Sequence, residues 1–499
     1  MNKNVLEWLE QTTGRIPDKV CYMQQGKELT FSQVRKKAMS VGTRLADIEK
    51  GKPIVVMGDR DIDTIPAYLG VVYSGHTYAP VDGSIPKHRL DSIISMIDPS
   101  AILADSTFAE LAEEYSDNYT VIGFDEAFAA EADEQKLLKI RRDMIVTDPL
   151  YIISTSGSTG NPKGVITSHQ SLMCYIESYA DVMKIDETDI FGNQSPLDYI
   201  AAIRDIYLPL YKGASTVVIP KEYFMEPNVL FEFLNKYKVN TVGWSVSALN
   251  LPVTMGAFED VKLTTLKKIC FSGSVMPIEC LKVWRENLPE ALFVNQYGPT
   301  EATASCTYYV LEKGTVYDSP LPIGVPYSNY RVFLMNADMT PTPKGEVGEI
   351  CVSGPILALG YYNDPKRTAE SFVQNPNSIG YSERMYKTGD YGRIREDGNL
   401  EFHGRMDRQV KVMGHRVELD EVEMHINKLD GVDECIILFE KSQEKLVLFY
   451  AGEALKKDII IYCRDILPAF MIPRKIKKID SLPKLANGKT DMNKLKEQM

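Results

Sequence analysis

The sequence lacks an apolar run long enough to cross a membrane, and it lacks an excess of basic residues. None of its hydrophobic stretches approaches the ~20 residues that a spanning helix needs. Its 56 lysine and arginine residues are outnumbered by 68 aspartate and glutamate residues, for a formal net charge of −12. The polar N-terminus has no apolar segment of the secretory type. We therefore expect a cytoplasmic protein whose partners include neither membranes nor nucleic acid.

Histidine and cysteine are sparse and dispersed along the chain. The six histidines are not paired with a nucleophile in any motif, and the eight cysteines include no CxxC pair. Most of the cysteines lie in apolar runs, as reduced core cysteines of a cytosolic protein do. A G-x-S-x-G motif is also missing from the sequence. These features argue against a zinc site, a disulfide framework and a Ser/His/Asp hydrolase.

Helix and strand signals alternate over the first two thirds of the chain. Predicted helices at 31–47 and 62–74 flank a short apolar strand at 53–57, and the same alternation continues to about residue 310. Such alternation predicts an α/β fold with parallel sheets covered by helices. The acidic segment 110–143 interrupts this pattern and is predicted to be an irregular surface excursion.

The pattern changes in the last third. Short strands separated by turns dominate from about residue 320, which predicts a smaller β-rich lobe. The final 90 residues or so mix helix and strand signals and favour a compact α+β domain. A chain of 499 residues has room for about three such units.

The most informative stretch is the loop STSGSTGNPKG, which follows the apolar strand at 150–153. Hydroxyl side chains and backbone amides suit phosphate oxygens, because glycine lets the backbone approach and turn its N–H groups inward. It is not a Walker loop, since Gly164 follows the lysine. A flexible linker is the alternative, disfavoured because the loop joins a strand to a predicted helix near residue 168. The predicted phosphate ligands are Thr155, Ser156, Gly157, Ser158, Thr159, Gly160 and Lys163.

A second group of polar residues, NQYGPTE, follows the apolar strand at 291–294. Thr300 can donate a hydrogen bond to a phosphate oxygen, and Glu301 offers the hard oxygen that Mg²⁺ prefers. Tyr297 offers a flat face for adenine. An exposed turn with a Thr-Glu pair is the alternative reading of this stretch.

Three weaker motifs follow in the last quarter of the chain. They are YKTGD at 386–390, GRMD at 404–407 and PKLANGK at 483–489. Taken alone, they indicate turn chemistry, a solvated linker and a solvated turn, respectively. An aspartate can accept two hydrogen bonds from vicinal ribose hydroxyls, so Asp390 is also a candidate nucleoside ligand.

In this order, the motifs closely resemble those of the adenylate-forming superfamily, which includes acyl-CoA synthetases, luciferases and the adenylation domains of nonribosomal peptide synthesis. The resemblance implies an N-terminal adenylation core at 1–403, made of helix-covered sheets plus a β-rich lobe. It also implies a hinge at 404–408 and a small mobile α+β lid domain at 409–499.

The resemblance implies two half-reactions, with ATP and Mg²⁺ as cofactors. A carboxylate attacks the α-phosphate of ATP and releases pyrophosphate, and a thiol then takes the acyl group after the small domain rotates. By resemblance, Asp390 binds the ribose, Asp407 is the hinge, and Lys489 contacts the carboxylate and α-phosphate oxygens. The remaining implied nucleotide residues are Gly273, Ser274, Gln296, Gly298 and Arg405.

The segment GRMDRQVKVMGHRVELDEVE resembles stand-alone peptide-synthetase-type adenylation enzymes, including the D-alanine–carrier protein ligases. This branch implies a phosphopantetheine arm on a separate carrier protein as the thiol acceptor. Coenzyme A is the alternative acceptor, since both thiols share the pantetheine end. A non-catalytic binding module on the same fold is a further alternative, disfavoured by the intact motif residues.

The identity of the acid depends on a pocket inferred from the shared segment Asp205-Ile-Tyr. Where amino-acid-activating relatives place an aspartate for the α-ammonium, this chain has Ile200, with Asp198 two residues earlier. A buried ammonium without a counter-charge is costly, which favours an aryl or other acid without an α-amino group over D-alanine or another amino acid. Arg204 either reads a polar substituent or pairs with Asp205. The implied pocket residues are Ile200, Ala201, Arg204, Trp244, Cys270, Ser272, Gln296, Ala304 and Ser305.

Overall fold

The computed structural model describes residues 2–157, 162–405, 407–483 and 490–499, and the side chain of residue 442 is also left out. The chain divides into two compact units. The first comprises 1–83, 97–153 and 164–404, and the second comprises 84–96, 154–163 and 405–499. A boundary thus falls within the predicted hinge at 404–408, whose mobility stays a prediction.

A nine-stranded sheet runs through the first unit in the order β15-β14-β13-β12-β11-β9-β10-β1-β2, with strands and helices numbered in chain order. Its middle strands, from β13 to β1, are parallel, and antiparallel strands flank them at both edges. The strands are β1 Val20–Gln24, β2 Lys27–Thr30, β9 Ile190–Asn193, β10 Ser215–Val218, β11 Thr241–Ser245, β12 Lys268–Ser272, β13 Leu292–Tyr297, β14 Thr307–Val310 and β15 Val325–Pro326.

A seven-stranded sheet has the order β18-β8-β7-β4-β3-β5-β6. Its inner strand β3 is buried at every position, as its continuous apolar sequence predicts for a parallel strand covered on both faces. The strands are β3 Ile54–Gly58, β4 Tyr78–Asp82, β5 Ala101–Ala104, β6 Thr120–Gly123, β7 Pro149–Thr155, β8 Lys163–Ser168 and β18 Gly360–Tyr361.

The β-rich lobe is a sheet in the order β16-β17-β20-β19, with β21 paired to β20. Its strands are β16 Arg331–Met335, β17 Val347–Ser353, β19 Phe372–Gln374, β20 Arg384–Ile394 and β21 Leu400–Arg405. The C-terminal part of the second unit has a hairpin, β22 Gln409–Val412 with β23 His415–Glu418, and a sheet of β24 Glu434–Glu440, β25 Lys445–Ala451 and β26 Lys475–Lys478.

Some of the helices begin at a capping side chain. Thr30 and Gln33 form a reciprocal capping box at the start of α2, and the Ser168 side chain accepts a hydrogen bond at the start of α8. The α-helices are α1 Leu6–Arg15, α2 Phe31–Leu45, α3 Thr64–Tyr73, α4 Lys87–Ile97, α5 Ala109–Glu113, α6 Phe124–Ala129, α7 Glu134–Asp143, α8 His169–Met183, α9 Ile203–Lys212, α10 Pro227–Lys236, α11 Val246–Thr254, α12 Ala257–Asp260, α13 Ile278–Asn287, α14 Pro365–Ser371, α15 Leu419–Ile426, α16 Lys456–Ile466 and α17 Met492–Lys496.

The predicted α/β class is confirmed, and two local predictions are wrong. The segment 110–143 is not irregular, because β6, α6 and α7 lie within it. Phe124, Ala127 and Leu137 are buried there, so a few apolar residues anchor an otherwise acidic stretch. The phosphate loop does not lead directly into a helix, since β8 intervenes before α8. Among the described residues, no helix combines the length and apolar character needed to cross a membrane.

Candidate active site

The second and third motifs meet in the first unit. The Tyr297 hydroxyl, at the end of β13, donates a hydrogen bond to the Asp390 carboxylate on β20. Both side chains are largely buried, at 9% and 7% exposure. Burial and the nearby Asp390 charge raise the pKa of Tyr297 well above its ordinary value, so its hydroxyl stays a donor at neutral pH. Residues 93 positions apart in sequence thus form one polar contact.

A register shift in the β17–β20 pairing lies next to Asp390 and affects the orientation of its side chain. The register between the two strands shifts between Glu349 and Cys351. Gly389 takes a positive φ of 72°, and its N–H donates to the Glu349 carboxylate at 3.0 Å. The Asp390 N–H donates to the Thr388 hydroxyl at 3.0 Å. Register shifts of this kind change the direction of a side chain and are common next to active sites. This explains how the turn-like sequence Thr388-Gly-Asp can lie within the long strand β20.

Glu301 lies in a short 3₁₀ turn, Thr300–Ala302, directly after β13. It is fully buried, and its Oε1 accepts a hydrogen bond from the Tyr361 hydroxyl at 2.7 Å. Thr300 is 7% exposed. Mg²⁺ is usually held by one or two carboxylates together with phosphate oxygens, so a single oriented glutamate fits this role. Among the described residues, no group of three or more His, Cys, Asp or Glu side chains could hold a metal ion by itself.

The phosphate loop belongs in part to the second unit. Within that unit, the Ser156 hydroxyl donates to the backbone oxygen of Arg416 at 2.8 Å. The buried Thr155 hydroxyl has no hydrogen-bond partner among the described residues, and Lys163 is 8% exposed. The predicted ligands Ser158, Thr159 and Gly160 lie outside the described residues.

The C-terminal ends of the parallel strands carry the other predicted nucleotide residues of the first unit. Gly273 and Ser274 follow β12, and Gly298 follows β13. Gly273 has a φ of 103°, which glycine adopts without strain. A Cβ at Gly298 would lie 2.4 Å from the Ser305 Cα, so the turn needs glycine there. Ligands of open α/β sheets bind at this carboxyl edge.

The predicted acid pocket contains a fully enclosed cation. Arg204, in the first turn of α9, is 2% exposed. Its Nη2 donates to the Gly243 oxygen at 2.8 Å, and its Nη1 donates to Gln296 Oε1 at 3.4 Å. Nη1 also approaches Cys270 Sγ at 3.8 Å. Three of the predicted pocket residues are therefore together.

Gln296 connects this cation to its surroundings. Its Oε1 accepts a hydrogen bond from the Ser305 hydroxyl at 3.3 Å, and its Nε2 donates to the Tyr327 hydroxyl. The amide is thereby fixed with its oxygen toward Arg204. Ser305 thus joins the cluster. Ser272, the last residue of β12, and Ala304, shortly after the Thr300–Ala302 turn, are half-buried.

Trp244 is not brought to this cluster. Its indole N–H donates to the Gly192 oxygen at 2.8 Å, and its ring packs edge-on against Phe224 with centroids 5.1 Å apart. Trp244 belongs to a hydrophobic core cluster separate from that of Ile200. Successive side chains of a strand point to opposite faces of the sheet. Gly243, the residue before Trp244, therefore lies on the face of β11 that contacts Arg204. A Cβ at Gly243 would lie 3.0 Å from the Arg204 Cζ, so glycine makes room for the guanidinium.

Ile200 is 7% exposed in a 3₁₀ turn before α9, and Ala201 beside it is half-buried. Asp198 accepts a hydrogen bond from the Asp82 N–H, at the end of β4, at 3.3 Å. Burial and the Asp82 carboxylate raise the pKa of Asp198 to about 7. Asp198 therefore lies against another acidic residue and is held by a backbone group.

The predicted hinge and lid residues are partly described. In the second unit, the Arg405 guanidinium forms a bidentate ion pair with the Asp407 carboxylate, with both N–O distances at 2.6 Å. Burial raises the pKa of Asp407, but the hydrogen bond and charge of Arg405 outweigh it and leave the pKa lowered. Lys489 lies outside the described residues.

Sequence reasoning missed Gly243, Tyr175 and Tyr179. The two tyrosines are one turn apart on α8 and lie near Arg204, with the Tyr179 ring centroid 5.6 Å from its Cζ. The alternation of side chains along the strand TVGWS was the signal that could have identified Gly243, because it places Gly243 and Trp244 on opposite faces of the sheet. The tyrosines carry no such signal, because their spacing is equally typical of a helix packed into a core.

Comparison with known proteins places these features in one family. The family model for AMP-binding enzymes matches residues 9–362. The chain is 30% identical to a D-alanine--D-alanyl carrier protein ligase of Bacillus cereus, covering 98% of each protein. It is 27% identical to tyrocidine synthase 1 of Brevibacillus parabrevis, covering 99% of this chain but 45% of that protein.

A solved structure is similar in fold. The adenylation domain AlmE of Vibrio cholerae, crystallised with glycyl-adenosine-5'-phosphate, superposes with a TM-score of 0.85. The two share 21% identity, and the superposition covers 100% of this chain and 98% of that one. The family match, the carrier protein ligase relative and the arrangement of the motifs agree, and the chain belongs to the AMP-binding family of adenylate-forming enzymes.

Proposed function

We propose that this protein activates a carboxylic acid with ATP, releases pyrophosphate and transfers the acyl group to the phosphopantetheine thiol of a carrier protein. The observation that supports it most is the Tyr297–Asp390 hydrogen bond, which joins two nucleotide motifs beside the carboxyl edge of the large sheet. In this proposal, Asp390 accepts hydrogen bonds from the ribose hydroxyls and Tyr297 packs against adenine.

The remaining nucleotide residues act on the phosphates. Lys163 and the loop hydroxyls bind phosphate oxygens, and Thr300 donates one further hydrogen bond. Glu301 would hold Mg²⁺, which when bound neutralises phosphate charge as pyrophosphate leaves. Lys489 and Arg405 supply positive charge where the α-phosphate becomes more negative, which is the role that makes Lys489 catalytic.

The acid of this proposal carries no α-ammonium group. An amino group beside Ile200 and Ala201 would meet apolar atoms, and the desolvation of a cation without a partner opposes binding. Asp198 does not supply the missing charge, because it is bound to the Asp82 backbone and its raised pKa leaves it only partly ionised at neutral pH. An aryl or other non-amino acid instead gains from contact with Ile200.

A carrier protein is the favoured acceptor over coenzyme A. The mutual coverage of 98% with a D-alanine--D-alanyl carrier protein ligase supports this choice, whereas its D-alanine substrate does not fit Ile200. We place the reaction in the cytoplasm, where ATP is supplied, and all eight cysteines are free thiols there. The segment 409–499 acts as a lid that rotates about Asp407 between the two half-reactions.

The test separates the two half-reactions. Purified protein is given ATP, Mg²⁺ and a panel of acids, and pyrophosphate exchange is measured first. Lys489→Ala should reduce exchange by about 10²–10³-fold, the usual cost of one charge-stabilising donor. The same variant should still transfer the acyl group from a supplied acyl-adenylate to a holo-carrier protein. Equal losses in both steps would contradict the role of Lys489. If none of the acids in the panel supports pyrophosphate exchange, the result would contradict the function.

A further inference from the structure

We propose that the acid has a second carboxylate, far from the one that is activated, and that Arg204 binds it. This inference rests on the proposed function and names its substrate class, a dicarboxylic acid. The cation that must be neutralised is buried among residues of the acid pocket: Gly243, Cys270, Gln296 and Ser305.

Among the described residues, no carboxylate forms an ion pair with the Arg204 guanidinium. Its hydrogen bonds go to a backbone carbonyl, an amide oxygen and a thiol, none of which is charged. Burial raises the pKa of the Cys270 thiol to about 11, so the sulfur stays protonated beside the guanidinium. A guanidinium stays charged at all accessible pH values. Enclosed cations without a carboxylate partner are rare unless a ligand supplies the charge.

Apart from burial, the charges of Arg204 and the neighbouring Asp205 influence each other's pKa, but the two side chains do not form an ion pair. Asp205 follows Arg204 on α9, and consecutive side chains of a helix point about 100° apart. Its Oδ2 accepts a hydrogen bond from Asn193 Nδ2 at 2.8 Å. Among the described residues, Asp205 forms no ion pair with Arg204. The alternative in which Arg204 pairs with its own neighbour is therefore not the arrangement in the structure.

Three donors around the guanidinium lack acceptors among the described residues. They are the Arg204 Nε and the hydroxyls of Tyr175 and Tyr179, all of them buried. The Tyr175 hydroxyl lies close to Ser305 and Arg204 without normal hydrogen-bond geometry. Burial raises the pKa of Tyr175 to about 12, so this hydroxyl remains a donor. Leaving several buried donors unsatisfied is costly, and a carboxylate has more acceptor positions than these three donors require.

Neutral substituents satisfy this cluster less well. A hydroxyl or carbonyl oxygen accepts one or two hydrogen bonds and leaves the positive charge uncompensated. A carboxylate has about four acceptor positions and matches the planar fork of a guanidinium. It would also explain why Gly243 occupies its position, since a larger residue would displace the fork.

The decisive comparison uses the wild-type enzyme and pairs of acids that differ in one charge. Pyrophosphate exchange is measured with glutarate, adipate, pimelate, isophthalate and terephthalate, each beside its monomethyl ester. Each ester keeps one carboxylate for activation and caps the other. For the best diacid we expect kcat/KM at least ~100-fold above that of its ester, because the ester leaves the buried donors unpaired.

Variants locate the effect at Arg204. Arg204→Met should lower kcat/KM for the best diacid ~100-fold and leave that for its ester within a few-fold, while Arg204→Lys should retain part of the preference. Trp284→Phe is the matched control, because it removes a buried indole hydrogen bond to the Leu249 oxygen at a residue outside the predicted pocket and should leave the ratio of diacid to ester unchanged. Thermal unfolding and ATP binding of each variant show whether it is folded.

The outcomes separate the two proposals. Exchange that is fastest with monoesters, monocarboxylic acids or amino acids overturns the dicarboxylate inference and leaves the proposed function standing. An unchanged ratio in folded Arg204→Met protein overturns the assignment to Arg204. If the protein shows exchange with none of these acids and with neither benzoate nor D-alanine, the result counts against the proposed function itself and removes the basis for this inference.

Discussion

Two arginines of this protein, the half-buried Arg408 and the fully buried Arg204, have opposite surroundings. In the second unit, Arg408 donates to Glu423 through both terminal nitrogens at 2.6 Å, to Asp420 at 2.7 Å and to the Ile437 oxygen at 2.7 Å. In the first unit, Arg204 is even less exposed, yet it has no carboxylate partner among the described residues. A fully partnered arginine stabilises its own fold, whereas a buried one without an ion-pair partner among the described residues is consistent with the proposed role in ligand binding.

Arg408 should carry the larger stability effect. Arg408→Met leaves Glu423 buried at 9% exposure without its cation. Burial already raises the pKa of Glu423, and the Arg408 hydrogen bond is the main influence that opposes it. We expect the free energy of unfolding of the second unit to fall by about 2–4 kcal/mol, which is below the cost of breaking a fully buried pair because the Arg408 side chain is 28% exposed. Calorimetry and limited proteolysis of the full chain measure this.

The matched change in the first unit should behave differently. Arg204→Met removes a buried cation that has no ion-pair partner among the described residues and replaces it with an apolar side chain of similar length. We expect the free energy of unfolding without substrate to change by less than about 1 kcal/mol, or to rise. Chemical denaturation with and without the best diacid checks this, and a loss as large as that of Arg408→Met would make Arg204 a structural residue.

Asp198 extends the comparison from cations to carboxyl groups. Its pKa of about 7 in the folded protein exceeds the ordinary value of 3.8, so the folded state holds the proton more tightly than the unfolded chain. Its effect on stability is therefore most favourable below pH 4 and is lost as the pH rises toward 7. Asp198→Asn should be more stable than wild type by about 1–2 kcal/mol at pH 8 and equal at pH 4. Unfolding at both pH values tests the sign.

The smallest expected effect comes from filling the space beside the Arg204 guanidinium that the missing side chain of Gly243 provides. Gly243→Ala places a Cβ about 3.0–3.2 Å from the Arg204 guanidinium, which must shift by a few tenths of an ångström. We expect a several-fold rise in KM for the best diacid, little change for its monomethyl ester and a stability change of about 0.5 kcal/mol. Steady-state exchange kinetics measure both acids, and equal effects on the two would show that Gly243 acts only on packing.

The sequence predicted the parts of the site whose residue types are specific to their chemistry. The motif around Tyr297 and Glu301 follows β13 as expected, and the TGD aspartate meets it. The predicted strand and helix alternation is confirmed through most of the large unit. Wrong predictions fell where the local signal is weak. The acidic stretch at 110–143 contains only a few buried apolar residues, so its helices and strand are hard to recognise in the sequence. Strand β8 begins with Lys163 and Gly164, a pair that is typical of a loop.

The sequence by itself determined the family, the order of the nucleotide motifs and the absence of an acidic residue at Ile200. Those features are encoded by residue identity at fixed spacing, so they need no knowledge of packing. Only the tertiary structure decided which side of β11 faces Arg204 and which groups surround that guanidinium. The physical reason is that Tyr175, Arg204, Gly243 and Gln296 come from four different elements. Whether their charge and donors are satisfied depends on contacts across the sheet, which no local pattern records.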